Sequence, residues 1–289
     1  MTEISVIVPH YNDLARLDRC LAALVAQTMP GERFEIVVAD NMSPCGEAAV
    51  GACIAGRARL ILAREKGAGP ARNAGVAASG GRLLAFIDAD CVAEPGWLAA
   101  GIAALDAADF VGGRVKVTRE HDGRRSGAEA FEAVFAFNFE SYIRDKQFTG
   151  SGNLFCSRAM FDHVGGFRVG MSEDVDFSWR ARDLGYRLAY APDAVIGHPA
   201  RSDWQALHRK WQRVNAELFE LALLEPGGRW KWFARSLALP LSIAAHAPRV
   251  LASPELADPG ERARALAMLA RLRLWRFGDA MLRTAWLRR

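Results

Sequence analysis

Two stretches of the chain hold carboxylates in patterns that chemistry can use. Asp88-Ala89-Asp90 follows the apolar run Leu83–Ile87, and Ser172-Glu173-Asp174-Val175-Asp176 opens a helix-like segment reaching Leu184. Two carboxylates at the mouth of an apolar strand can hold a hard divalent cation, which in turn holds a diphosphate. A D-x-D triplet is expected about once by chance in a chain this rich in aspartate, and an Asp-rich turn capping the next helix at Glu94-Pro95 would look the same. In the second stretch Ser172 can cap a helix, which puts Glu173 and Asp174 in its first turn. There the helix dipole favours the ionised carboxylate that a general base requires. Acids that merely complement a helix end are equally compatible with the pattern. The turn Thr149-Gly150-Ser151-Gly152-Asn153 offers backbone that a ligand can approach closely. No Lys-Ser/Thr follows it, which argues against a phosphate-cradling loop, and no G-x-G-x-x-G follows the first strand, which argues against a dinucleotide oxidoreductase. The histidines other than His198 show no spacing that argues for zinc.

The elements that must position these groups follow from periodicity. Residues 3–8, Phe34–Ala39, Arg59–Ala63 and Leu83–Ile87 read as buried strands, separated by alanine-rich helical stretches. Asp13 is a candidate cap for a helix whose Leu14, Leu17, Leu21, Leu24 and Val25 share a face. Strands alternating with helices at this spacing predict βαβ units and a mostly parallel sheet, in which ligands bind beyond the carboxyl ends of the strands. Three of the four strands run straight into polar residues there: Pro9-His10-Tyr11-Asn12, Asp40-Asn41 and Asp88-Ala89-Asp90. Further on, Phe110–Val117 reads as a strand, Ala128–Ile143 as one aromatic-rich helix, and Arg187–Ala191 as a strand leading to His198. Beyond about residue 202 only helices are expected, broken near Gly227-Gly228 and between Ser253 and Gly260.

The segments Ser5–Asn12 (SVIVPHYN), Val37–Ser43 (VVADNMS), Gly69–Gly75 (GPARNAG) and Phe86–Asp90 (FIDAD) resemble the successive motifs of family 2 glycosyltransferases. Gly165-Gly-Phe167, Ser172-Glu-Asp174, Gly185–Leu188 (GYRL), Ala191–Ala194 (APDA) and His198 continue the resemblance in order, over roughly residues 3–200. It implies a GT-A fold, a Rossmann-like mostly parallel α/β sheet, with a helical C-terminal extension. The implied division is a catalytic domain over 1–200 and a helical extension over 201–289. It also implies transfer of a sugar from a nucleotide diphosphate, usually of uridine, with inversion at the anomeric carbon. Carried over position by position, Pro9, Tyr11, Asp40, Arg72 and Asp88 fall to the nucleotide, with Asp40 accepting from the uracil N–H and Tyr11 packing on the base. Asp90 and His198 fall to a divalent metal, Mn2+ or Mg2+. Asp174 becomes the general base, and Gly152, Asn153 and Glu173 meet donor sugar or acceptor. The family often has two acids where this chain has Asp40-Asn41 and a glycine at the position of Met42.

The 289 residues carry a formal net charge of +4. Residues 229–289 hold twelve Lys or Arg against four Asp or Glu, so an acidic body precedes a basic tail. Six of the eight tryptophans follow residue 200: Trp204, Trp211, Trp230, Trp232, Trp275 and Trp286. Met268, Trp275, Leu282 and Trp286 fall on one face of a final helix, while Arg262, Arg273, Arg276 and Arg283 gather on another, which suits an anionic membrane surface. Leu266, Leu269 and Leu287 lie among those arginines, so packing on the catalytic domain or on a second subunit fits as well. The expected partners are a nucleotide-sugar donor, a saccharide or lipid-linked acceptor and such a membrane surface; no nucleic acid is expected. The stretch Ser236–Pro248 is too short to span a bilayer, which takes about 20 apolar residues. Five scattered cysteines read as reduced thiols, and the N-terminus has no secretory pattern, so a cytoplasmic chain, peripheral on the inner face of the cell membrane, is expected. A catalytically silent sugar-nucleotide binder or scaffold on the same fold is the alternative, opposed by the joint presence of Asp88, Asp90, Asp174 and His198.

Overall fold

A computed structural model describes residues 2–169 and 172–286, with the side chain of Trp286 excepted; Leu287 lies outside the described residues. The chain divides into two compact units, Met1–Lys116 with Phe137–His198, and Val117–Ala136 with Pro199–Arg289.

The first unit is built on strands β1 (Ile4–His10), β2 (Phe34–Asp40), β3 (Arg59–Leu62), β4 (Leu83–Ile87), β5 (Val92–Ala93), β6 (Phe110–Thr118), β7 (Asn153–Ser157) and β8 (Leu188–Pro199). These form one sheet in the order β3-β2-β1-β4-β7-β6-β8-β5. Its β3-β2-β1-β4 half is parallel, and β7 then runs antiparallel to β4 and to β6. Helices α1 (Leu14–Val25), α2 (Glu47–Ile54), α3 (Ala68–Ala77) and α4 (Trp97–Ala104) supply the crossovers. Ile4, Val6 and Val8 of β1 meet Leu17, Leu21 and Leu24 of α1 on one face, and Ile7 meets Phe86, Phe161 and Phe177 on the other. Burial of both faces is what a parallel sheet needs, and it explains the unbroken apolar runs in the sequence. Asp13 does cap α1, accepting from the Arg16 N–H.

Two sequence expectations are corrected here. The helix read over 128–143 is two helices, α5 (Gly127–Phe135) and α6 (Phe139–Lys146). Ala136 is extended, Phe137 is left-handed with φ 55°, and the Asn138 side chain caps α6 by accepting from the Ser141 N–H. Asn at an N-cap restarts the helix that the continuous aromatic pattern seemed to bridge. The strand read over 187–191 runs on through Pro192 to Pro199, so His198 lies within β8 and not beyond it. Helices α7 (Arg158–Val164) and α8 (Glu173–Asp183) complete this unit.

The second unit is helical: α5, α9 (Trp204–Leu223), α10 (Gly228–Leu237), α11 (Leu241–Leu251) and α12 (Pro259–Trp286). Phe131 of α5, Leu207 of α9, Val250 of α11 and Leu269 and Leu272 of α12 share its main core. Inside it, Glu132 is 1% exposed and pairs with Arg201 and Lys210, each at 2.9 Å. The 121–125 loop is tied down within this unit, His121 to Glu129 and Arg125 to Glu261. Among the described residues no helix is long and apolar enough to cross a membrane.

Candidate active site

The carboxyl ends of β1, β2 and β4 bring the polar strand ends together. Register sets His10 beside Asp40 across the β1–β2 pair. His10 Nε2 accepts the Asp13 backbone N–H (3.1 Å), so its Nδ1 carries the proton and donates to Asp40 Oδ1 (2.8 Å). The Ser43 hydroxyl also donates to Asp40 Oδ1, and the Ser43 backbone N–H donates to Oδ2 (3.0 Å). Asp40, expected to read a base directly, is thus 1% exposed with its carboxylate turned onto His10 and Ser43. It holds together the two loops that carry Tyr11 and Met42. Tyr11 itself is 62% exposed, just past half-buried Pro9. Asn41 next door uses its whole amide on the loop before α3: Nδ2 donates to the Ala63 and Glu65 carbonyls and Oδ1 accepts the Gly67 N–H. Met42 has φ 60°, a left-handed conformation that favours glycine and accounts for the glycine usual at this position in the family.

Arg72, in α3, is buried between two acids: Nη1 donates to Glu173 Oε1 and Nη2 to Asp88 Oδ1, both at 2.5 Å. Burial opposes its charge, yet Asp88, Glu173 and Asp174 outweigh that and hold the guanidinium protonated. Burial raises the Glu173 carboxyl above its ordinary value, and Asp174 adds to this while Arg72 pulls it down. Glu173 and Arg72, both read from sequence as ligand contacts, are therefore partners of each other. Gly152 lies against Asp88: a Cβ there would collide with the carboxylate. Asp174 stands in the first turn of α8 beside Glu173, and its Oδ1 accepts the Ser151 N–H (3.0 Å). Ser172 occupies the N-cap position without a side-chain capping bond.

Asn153 opens β7. It is fully buried, accepts from Trp97 Nε1 (2.8 Å), and donates to the Arg114 and Ala194 carbonyls (3.0 Å each). Through these three bonds it fixes β7 against its neighbours.

Beyond β4, Asp90 and His198 converge. The β5–β8 register pairs Val92 with Gly197, which sets His198 across from the Asp90-Cys91 turn. His198 Nε2 is 3.5 Å from Asp90 Oδ2, and the Phe137 ring lies over the imidazole at 4.3 Å between centroids. Cys91 Sγ joins them, so that three potential ligand atoms lie within 4.8 Å of one another. Burial, and then the acids at 90 and 88, push the Cys91 thiol well up, and a soft sulfur suits a hard cation less well than oxygen or imidazole does. One carboxylate oxygen and one imidazole nitrogen fit a hard or borderline divalent cation that keeps further positions for phosphate oxygens and water.

Sequence reasoning placed His10 at a polar strand end and Ser151 in the glycine-rich turn without giving either a role, and it gave none to Ser43, Trp97 or Phe137. For His10 a signal existed, since two polar residues end adjacent parallel strands at the same height; the others depend on pairings that appear only in three dimensions.

Residues 5–174 match the family described as Glycosyl transferase family 2. Glycosyltransferase AglE of Haloferax volcanii is 29% identical over 266 residues, covering 89% of this chain and 86% of AglE. A pre-mycofactocin glycosyltransferase of Mycobacterium tuberculosis is 28% identical, over 71% of this chain and 45% of its own length. Among solved structures, the mannosyltransferase PcManGT of Pyrobaculum calidifontis, in complex with GDP-Man and Mn2+, superimposes with a TM-score of 0.62 at 19% identity, over 99% of this chain and 88% of PcManGT. S. aureus TarS gives 0.53 at 18% identity, over 96% of this chain and 55% of TarS. The fold is therefore the GT-A fold. With the family match spanning more than half its length, the chain belongs to the family 2 glycosyltransferases.

Proposed function

We propose that the chain moves a sugar from a nucleoside-diphosphate donor, with inversion, to a hydroxyl of a saccharide or lipid-linked precursor of the cell envelope. The observation that carries this reading is one sheet edge holding Asp90 with His198, Asp88 with Arg72, and Asp174 at the start of α8.

Asp90 and His198 would hold a divalent cation, Mn2+ or Mg2+, with Asp88 beside it toward the ribose. Such a cation, when bound, offsets the negative charge that develops on the departing diphosphate. Pro9 and exposed Tyr11 offer the nucleotide a surface, with Asp40 supporting it from behind through His10 and Ser43. Uridine is the base that the sequence resemblance implies. In the transfer, an acceptor hydroxyl attacks the anomeric carbon from the face opposite the diphosphate. The new C–O bond forms as the bond to the β-phosphate oxygen breaks and its electron pair leaves with the diphosphate. The hydroxyl proton passes to Asp174, whose Oδ1 is anchored by Ser151, leaving Oδ2 for the acceptor. Arg72 engages Glu173 Oε1, so that this second carboxylate is held away from that proton.

A screen of UDP- and GDP-sugars for cation-dependent binding and turnover identifies the donor. Asp174→Asn keeps the Ser151 contact; it should bind the nucleotide sugar as the parent does and lose transfer by roughly 10²- to 10⁴-fold. Unchanged turnover in that variant would sink the assignment.

A further inference from the structure

We infer that the α10–α11 arm of the helical unit is a docking face for an anionic lipid bilayer. The sequence pattern suggests the final helix for such a role, but α12 is occupied within its own unit. Leu269 and Leu272 are core residues, Arg276 is buried over the Trp211 ring at 4.1 Å, and Arg283 pairs with Asp279.

The exposed apolar surface lies elsewhere. Trp230 is 60% exposed, Leu237 48% and Leu241 76%, and exposed Ala234 and Ala238 fill the spacing between them. Steps of four and three residues put Trp230, Ala234 and Leu237 along one side of α10, and exposed Leu241 opens α11 just past the 238–240 turn. Burial of the neighbouring Trp232 against Phe219 shows that the same helix has a distinct inner side. Large aliphatic and Trp side chains projecting from one side of a helix match the headgroup–acyl boundary.

Charge selects the occupant. From Pro226 to Pro254 the chain has no Asp or Glu, while it carries Arg229, Lys231, Arg235 and Arg249, of which exposed Lys231 pairs with Glu225 at 3.0 Å. A second copy of this face, packed against itself in a two-fold contact, would set these cations against their own images. Anionic headgroups complement them, and each Lys or Arg near such a surface adds to the attraction.

The test is cosedimentation with phosphatidylcholine vesicles, with and without phosphatidylglycerol. The full chain should bind only the anionic vesicles, and less so as salt rises. The variant Leu237→Ser/Leu241→Ser changes exposed side chains and should keep the parent's melting temperature and nucleotide binding, while its vesicle partition falls at least about tenfold. Leu282→Ser, an exposed leucine of α12, should bind vesicles as the parent does. Failure of the full chain to bind anionic vesicles overturns the inference, as does parental binding by the double variant or an equal loss in Leu282→Ser. A parent that is dimeric and becomes monomeric in the double variant, without vesicle binding, makes the face an interface between copies and also overturns it.

Discussion

Arg72→Met removes the cation that joins Asp88 to Glu173 while keeping an unbranched side chain over Phe167, whose ring centre is 5.7 Å from the guanidinium carbon. Arg72 is 4% exposed, whereas the side chains of Glu173 and Asp88 are 24% and 35% exposed. Breaking a fully buried pair costs about 3–5 kcal/mol, and water access to both carboxylates places this one near the lower end, at about 3 kcal/mol. For a unit of this size that is roughly 6–12 °C of melting temperature. The loss should also depend on pH. Burial and Asp174 already raise the Glu173 carboxyl above its ordinary value, and Arg72 is the main force lowering it. Without Arg72 the native value climbs further. A carboxyl whose native pKa exceeds its unfolded one loses stability as pH rises through that interval, so the deficit is greatest above the native pKa and shrinks toward the unfolded value. Urea unfolding of parent, Arg72→Met and Arg72→Lys, near about pH 5 and about pH 8, measures this directly. Lysine reaches one carboxylate and not both, so it should recover part of the loss. A deficit that is equal at the two pH values, or below about 1 kcal/mol, would refute the account of Arg72 as the shared counter-ion.

Two further substitutions probe backbone positions at the same edge. Gly152→Ala should push the Asp88 carboxylate off Arg72 and lower transfer about a hundredfold, with a smaller loss of stability than Arg72→Met because Glu173 still pairs the guanidinium; steady-state turnover beside a melting curve tests it, and parental turnover would refute it. Met42→Gly should leave stability unchanged or raise it by up to about 1 kcal/mol, whereas Met42→Val should lower it by about 1–2 kcal/mol, since φ 60° is open to glycine and hard on a β-branched residue. The opposite order in thermal melts would contradict the left-handed assignment.

The parallel half of the sheet and both carboxylate stretches are legible in the sequence because they depend on local pattern: buried strands are continuous apolar runs, and polar residues at their ends have nowhere else to face. The division of labour among those polar residues is not legible, because it depends on register. That Asp40 pairs with His10 through the β1–β2 register, and Arg72 with Glu173 through the α3–α8 approach, is visible only in the fold. The Trp97 partner of Asn153 is hidden for the same reason, being 56 residues away. In the tail, an apolar periodicity on α12 cannot say whether a neighbouring helix covers it. The break at 136–138 hides behind aromatic spacing, although Asn138 is a visible cap.

The chain enters the helical unit with 117–136, leaves it, and returns after 198. A protein cut at residue 200 would therefore not release a catalytic unit in native form. It would keep α5 with Phe131 stripped of its cover, and it would strand the Glu132 carboxylate without Arg201 and Lys210. The exposed ring and orphaned charge would favour aggregation, so loss of activity on truncation at that point would report misfolding and not acceptor choice. The helical tail is stitched into the enzyme by an internal segment, and any exchange of tails between relatives has to carry residues 117–136 along with it.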